Sequence, residues 1–283
     1  MVRKVEKEVT MEKSANIGLF FQRGYFEGLD DEIWTEKTKQ EAFFNSQNSI
    51  LKESSKVNAG TIETSDGQFV LKTVYPGLIT GIGMLHATGM QGEGKLGMAF
   101  DYTSGLPYIP GSSVKGLLRS LFPIPSSDNP KKISKEEDEL LAAKCEFLKD
   151  TCKKLNIPEL NSSEWHELSS IIFNGKRKEG TLSIYERDIF YDAHIKGDYS
   201  EKGILDFDYI TPHKKPLKNP DPIKFLKILP EVTFVFNFNL HDSILSSKKA
   251  FKAEHKKALF KKILTIVGIG AKTNVGYGQL KAV

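Results

Sequence analysis

Apolar residues, β-branched and aromatic among them, enclose only two polar ones over residues 69–75, Phe69-Val-Leu-Lys-Thr-Val-Tyr75. This pattern predicts a strand that resumes after Pro76 across residues 77–83. Further strands are predicted at 180–189 and 232–240. In the second, Phe234, Phe236 and Phe238 fall on alternate positions, as in a strand covered on one face. Residues 275–283 supply a last strand. A different period governs Val114, Leu117, Leu118 and Leu121, which recur at helical spacing until Pro123 ends the run, with Ser112 or Ser113 as N-cap. A long helix is predicted at 247–267, with Phe251, Leu259, Ile263, Ile266 and Val267 on its buried side and Gly268 as its C-terminal cap.

Strand, short helix, strand, strand, long helix, strand is the order of a split βαβ arrangement, so the expected class is α+β with a ferredoxin-like (RRM-like) core. Residues 134–170 read as a helical pair inside an insertion at about 123–170. Residues 1–58 are polar and mixed in sign, with aromatics at Phe20, Phe21, Tyr25 and Phe26 and helix-compatible spacing from 32 to 56. They are expected to form an N-terminal extension packed on the core, leaving 59–283 as one domain.

With 283 residues, 39% hydrophobic and 27% charged, the chain has the composition of a folded protein, not of one disordered throughout. A net charge of +4 suits an acidic partner but is equally ordinary for a soluble protein. Cys145 and Cys152, seven apart in a predicted helix, fit reduced thiols better than a disulfide framework, and neither lies in a Cys-x-x-Cys motif. The N-terminus has no apolar core, and no apolar run approaches the roughly 18 residues that cross a bilayer, so a cytoplasmic location away from membranes is expected.

Two segments carry candidate chemistry. Residues 108–119, Tyr108-Ile-Pro-Gly-Ser-Ser-Val-Lys-Gly-Leu-Leu-Arg119, combine glycine, hydroxyl and basic groups. Lys115 and Arg119 lie four apart beside the leucine stripe and can reach one ligand. Residues 268–278, Gly268-Ile-Gly-Ala-Lys-Thr-Asn-Val-Gly-Tyr-Gly278, have the look of a nucleotide loop at Gly270-Ala-Lys-Thr. A P-loop needs glycine directly before the lysine and a strand-to-helix setting, whereas Ala271 stands there and the loop leaves a helix. What remains is a glycine-rich loop whose N–H groups, with Gly270, Lys272, Thr273, Asn274 and Gly276, suit an RNA backbone. The competing reading is a tight turn between helix and edge strand, which accounts for one or two of the four glycines more easily than for all.

Seven lysines, at 248, 249, 252, 256, 257, 261 and 262, face a single acid, Glu254. Such a run either lines a phosphate track or forms a solvated face. The six histidines share no metal-ligand spacing, so neither metal nor cofactor is expected. His86 or Asp101 could assist attack by a ribose 2′-hydroxyl, although a lone His or Asp in a loop is more often a hydrogen-bonding residue, and His213 reads as a loop residue.

Pro110-Gly-Ser-Ser-Val-Lys-Gly-Leu-Leu-Arg119 resembles the proline-glycine-serine-serine-x-lysine-glycine-x-x-arginine motif of RAMP proteins, the repeat-associated subunits of CRISPR effector complexes. The 268–278 loop is similar to the C-terminal glycine-rich loop of that superfamily. Within it, Asn16-Ile-Gly-Leu-Phe-Phe, Gly105-Leu-Pro-Tyr, Thr211-Pro-His213 and Asn219-Pro-Asp-Pro-Ile-Lys-Phe-Leu226 resemble the sixth-subunit family of the type III-B, or Cmr, complex.

The resemblance implies a non-catalytic, guide-RNA-binding structural subunit at the guide 3′ end, with other RAMP subunits as partners and target RNA met indirectly. Its expected RNA contacts are Gly111, Ser112, Ser113, Lys115 and Arg119 from one motif and Gly270, Lys272, Thr273, Asn274 and Gly276 from the other. Two alternatives stay open: an endoribonuclease of the same superfamily that processes guide precursors, and the corresponding subunit of a type III-A complex.

Overall fold

The computed structural model describes residues 16–60, 67–81, 88–95, 97–125, 134–211 and 222–283. In chain order the elements are α1 (Ile17–Gln22), α2 (Asp31–Thr35), α3 (Lys37–Ser54), β1 (Gln68–Thr73), β2 (Tyr108–Ile109), α4 (Gly111–Leu121), α5 (Lys135–Leu155) and α6 (Ser162–Ser169). There follow β3 (Lys176–Arg177), β4 (Gly180–Thr181), β5 (Ile189–Phe190), β6 (Ala193–Lys196), β7 (Leu205–Ile210), β8 (Ile223–Ile228), β9 (Thr233–Asn239), β10 (Ser243–Ile244), β11 (Ala250–Phe251), α7 (Ala253–Val267) and β12 (Leu280–Ala282). The chain therefore mixes helix and sheet, as its two hydrophobic periods predict.

Two compact units are built from interleaved segments. Residues 1–60, 80–107 and 197–229 make the first, so the segment expected as an N-terminal extension shares a unit with two later stretches. Its aromatics form a core: Tyr25 and Phe44 are buried with Met90, and Phe20, Phe26, Leu29 and Phe43 pack around them. The Tyr25 hydroxyl donates to Asn48 Oδ1 at 2.7 Å and accepts from the Gly94 N–H at 2.9 Å, which satisfies a polar group taken out of water. Burial raises its pKa well above the ordinary tyrosine value. The β7–β8 hairpin belongs to the same unit, in register from Leu205↔Ile228 to Ile210↔Ile223.

Residues 61–79, 108–196 and 230–283 make the second unit and hold both glycine-bearing segments. Its antiparallel sheet has the order β12-β1-β9-β6-β2, with β5 added on β9. Phe69↔Phe236 and Leu71↔Phe234 are register partners and all four are buried, so the alternation read in the sequence is one buried face of this sheet. Val114 and Leu118 of α4 and Leu259, Phe260, Ile263 and Leu264 of α7 are buried in the same unit. Phe122, just past α4, sits edge-on to Trp165 and Phe173 at 5.8 and 5.0 Å between ring centroids. The expected helical pair in the insertion is realised as α5 and α6, each started by a side-chain cap, from Ser134 and Asn161. Cys152 is buried in α5, where desolvation pushes its thiol up to about 12.

Several local expectations are corrected. No strand spans residues 77–81, because Gly77 closes a turn through its N–H to the Val74 carbonyl at 2.8 Å. The 180–189 strand is broken by a 3-10 turn at Ile184–Glu186, where Ser183 and Glu186 cap each other's backbone N–H groups and local bonding displaces the ladder. The long helix begins at Ala253, since Ala250–Phe251 pairs with Ser243–Ile244. Ile266, expected on the buried side, is 44% exposed; Phe260 and Leu264 complete the 259/260/263/264 stripe instead.

Candidate nucleic-acid interface

The first glycine-bearing segment forms α4, and its start differs from the sequence expectation. Neither Ser112 nor Ser113 caps it. The helix begins at Gly111, whose N–H donates to Asp192 Oδ1 at 2.7 Å, so a carboxylate 81 residues away supplies the anion that a helix N-terminus favours. Gly111 is required by close approach: a Cβ there would lie 2.3 Å from the Phe190 carbonyl oxygen and 2.8 Å from that of Tyr191. Relieved of capping, Ser112 and Ser113 are exposed in the first turn.

One turn on, Lys115 is half-buried with its Nζ 5.7 Å from the centroid of the Phe190 ring, and Arg119 is exposed. Among the described residues neither is in an ion pair. Burial lowers the Lys115 pKa, and the nearby positive charges of Arg119 and Arg187 lower it further, with Asp188 opposing them in part. Gathered cations without ion-pair partners are stabilised by an anion with several oxygens, which is what a phosphate offers.

The second segment is a loop stitched to its own unit. The Ile269 N–H donates to the Gly278 carbonyl at 2.9 Å, the Ala271 N–H to Ile79 at 2.9 Å, and the Gly278 N–H to Gly77 at 2.8 Å. Its glycines are demanded by this stitching: at Gly278 and Gly270 a Cβ would fall 1.8 and 2.4 Å from carbonyl oxygens, and both have φ in the left-handed region. The tight-turn reading thus explains more of the glycines than expected. Lys272 also adopts a left-handed φ of 60°, heading a short 3-10 turn at Thr273–Val275. Lys272 and Asn274 are exposed and Thr273 is half-buried; their N–H groups are not among the bonds that hold the loop.

The two segments do not converge on one point. β2, which leads into α4, and β12, which leaves the glycine loop, are opposite edges of the sheet, four strand spacings apart, or about 19 Å. Register puts them at opposite ends as well: Leu280 pairs with Thr73 at one end, and Ile109 pairs with Ala193 at the other. A ligand touching both must run diagonally across this unit, as an extended nucleic-acid strand can.

The seven-lysine run is not a single track. Lys256 is buried with its Nζ 2.6 Å from Asp188 Oδ2, and Lys249 pairs with Glu164 at 2.9 Å. Asp101 is engaged in its own turn, accepting from the N–H groups of Thr103 and Ser104 at 3.1 and 2.7 Å. His86 and His213 lie outside the described residues. Among those described, no group of His, Cys, Asp and Glu residues is disposed to hold a metal ion, and no helix is long and apolar enough to cross a membrane.

The family model described as the RAMP superfamily matches residues 70–281, which include both segments. The chain belongs to the RAMP superfamily. This RAMP protein is 30% identical over 213 residues to the CRISPR system Cmr subunit Cmr6 of Pyrococcus furiosus, a match covering 62% of this chain and 58% of that protein. The chain thus aligns with less than two thirds of that relative. Among solved structures it is similar to a chain in the cryo-EM structure of type III-B Cmr-β bound to cognate target RNA, with 19% identity, TM-score 0.46 and coverage of 93% and 78% of the two chains. It is also similar to the crystal structure of Cmr6 from Pyrococcus furiosus, with 19% identity, TM-score 0.42 and coverage of 78% and 100%.

Sequence reasoning missed two residues of this RAMP surface, Asp192 and Arg187. Asp192 sits in a short connection without periodicity or motif and Arg187 within the segment expected as a plain strand, and each is brought to α4 only by the tertiary fold.

Proposed function

We propose that this chain is a guide-RNA-binding structural subunit of a type III-B CRISPR effector complex, located at the guide 3′ end and without a catalytic role. On this reading its partners are the guide RNA, other RAMP subunits and, through the guide, the target RNA, all in the cytoplasm. The core is read as ferredoxin-like, a reading supported by the order of β12, β1, β9 and β6 and by helices following the first and third of the four core strands in sequence.

The observation that carries the reading is the freedom of the polar face of α4. Ser112, Ser113 and Lys115 lie in the first two turns and Arg119 one turn beyond Lys115, and the helix start is held by Asp192 instead of by either serine. Groups of this kind, none of them in an ion pair, match backbone contacts, which carry no sequence information and so suit a subunit that must accept every guide. The engagement of Asp101 in a turn weighs against its use as a base.

The test incubates the purified chain with labelled repeat-derived and unrelated single-stranded RNAs across a salt series, following binding and cleavage together. Binding without cleavage, falling steeply with salt and indifferent to sequence, is expected. Specific cleavage of the repeat RNA would replace this reading with the endoribonuclease.

A further inference from the structure

Residues 187–192 run alongside α4 in the opposite direction. Gly111 meets the Phe190 and Tyr191 carbonyls, and one turn later Lys115 lies over the Phe190 ring. Arg187 lies three residues before Phe190, and its charge acts on Lys115 as that of Arg119 does. Its side chain is seated: Nε donates to the Leu182 carbonyl at 3.0 Å, and its Cγ, Cδ and Nε occupy the space where a Cβ on Gly175 would stand. That bond uses one of five donors and leaves both Nη groups of a half-buried guanidinium without a hydrogen bond or ion pair among the described residues.

The acid beside it makes no ion pair with it. Asp188 has turned inward, where its two oxygens take the Lys256 ammonium at 2.6 Å and the backbone N–H of His241 at 2.8 Å. Its ion pair is thus with Lys256, and toward α4 it acts only as a partial offset, favouring the protonated form of Lys115. The charge of Arg187 is felt at Lys115, where it opposes protonation alongside Arg119.

We infer that Arg187 is a third phosphate-binding cation of the α4 surface, aimed by Gly175 and Leu182 and left without an ion pair because Lys256 holds Asp188 in the core. A guanidinium whose Nε is already fixed presents its Nη edge as a fork, which fits two oxygens of one phosphate. This inference rests on the RNA-binding reading of α4 and adds to it a residue outside the superfamily's sequence motif.

The experiment compares the intact chain with Arg187→Gln, Arg187→Lys and the Lys115→Ala/Arg119→Ala pair, measuring the affinity for a labelled single-stranded RNA of unrelated sequence across a salt series. Arg187→Gln is expected to weaken binding roughly fivefold at moderate salt and to flatten the dependence of log K on log salt by about 0.7, the share of one phosphate on a single strand. Arg187→Lys also loses the Nε bond to Leu182 but keeps the charge, so a slope near that of the intact chain separates charge from folding. An unchanged slope in Arg187→Gln while the Lys115/Arg119 pair flattens it overturns this inference and leaves the reading of α4 standing. A slope lost equally in Arg187→Lys assigns Arg187 a structural part and also overturns it. No RNA binding by the intact chain, or none of the variants changing it, removes the RNA-binding reading and this inference together.

Discussion

The Nζ of Lys256 lies 2.6 Å from Oδ2 of Asp188, and both side chains are 1% exposed. One residue belongs to α7 and the other to the connection leading into β5, 68 positions earlier. Removing one partner strands a buried charge, so Asp188→Ala is expected to cost about 3–5 kcal/mol of stability by chemical denaturation. Replacing both, as Asp188→Leu with Lys256→Met, should recover much of that loss. A single substitution within 0.5 kcal/mol of the intact chain, the usual range at an ordinary surface site, would show that the pair contributes nothing to folding.

Asp192, and neither serine, holds the start of α4. Asp192→Ala is expected to lower stability by about 1 kcal/mol, whereas Ser112→Ala and Ser113→Ala should stay within about 0.5 kcal/mol. The serine variants should nonetheless weaken RNA binding. Thermal unfolding and RNA titration of the three variants check both halves of this expectation.

Glycine positions in the 268–278 loop should differ sharply. A Cβ at Gly278 meets the Ile269 carbonyl at 1.8 Å, while at Gly276 the nearest atom is Pro76 Cδ at 3.6 Å. Gly276→Ala therefore carries chiefly the cost of a left-handed φ, about 1–2 kcal/mol. Gly278→Ala adds an overlap with backbone and should destabilise the protein well beyond that. Equal effects on the melting temperature would contradict the packing described for the loop.

Glu164 makes stability depend on pH. Burial opposes its ionisation, but the Asn161 N–H, Lys249 and Ser247 outweigh that and hold its pKa below the ordinary 4.5. The unfolded chain then binds the proton first as pH falls, so this contribution is present above about 4.5 and disappears through the lower folded-state value. Glu164→Gln should be less stable than the intact chain by on the order of 1 kcal/mol at neutral pH. The gap should narrow on acidification below pH 4.5, as urea titrations at a series of pH values would show.

What could be read from the sequence follows from how far each interaction reaches along the chain. The stripe Val114, Leu117, Leu118 and Leu121, the helices of the insertion and the phenylalanine strand are periodic within a dozen residues, and each is present. Four-residue β6 has no such signal and is held by pairing to β9 and β2. The cap on Gly111 and the burial of Lys256 were illegible because their partners, Asp192 and Asp188, are 81 and 68 residues away. Candidate contacts were found by residue type, yet no local pattern marks that α4 and the glycine loop occupy opposite corners of one sheet. Adjacent lysines in a line likewise concealed that one of them points into the core.

Binding of an RNA backbone by the polar face of α4 is tested by the salt dependence of RNA affinity for the intact chain against Lys115→Ala with Arg119→Ala. Loss of two phosphate contacts on a single strand predicts a slope flatter by about 1.4, with the same loss for repeat-derived and unrelated RNA and an unchanged melting temperature. Identical affinity and slope in the folded double variant would contradict the account.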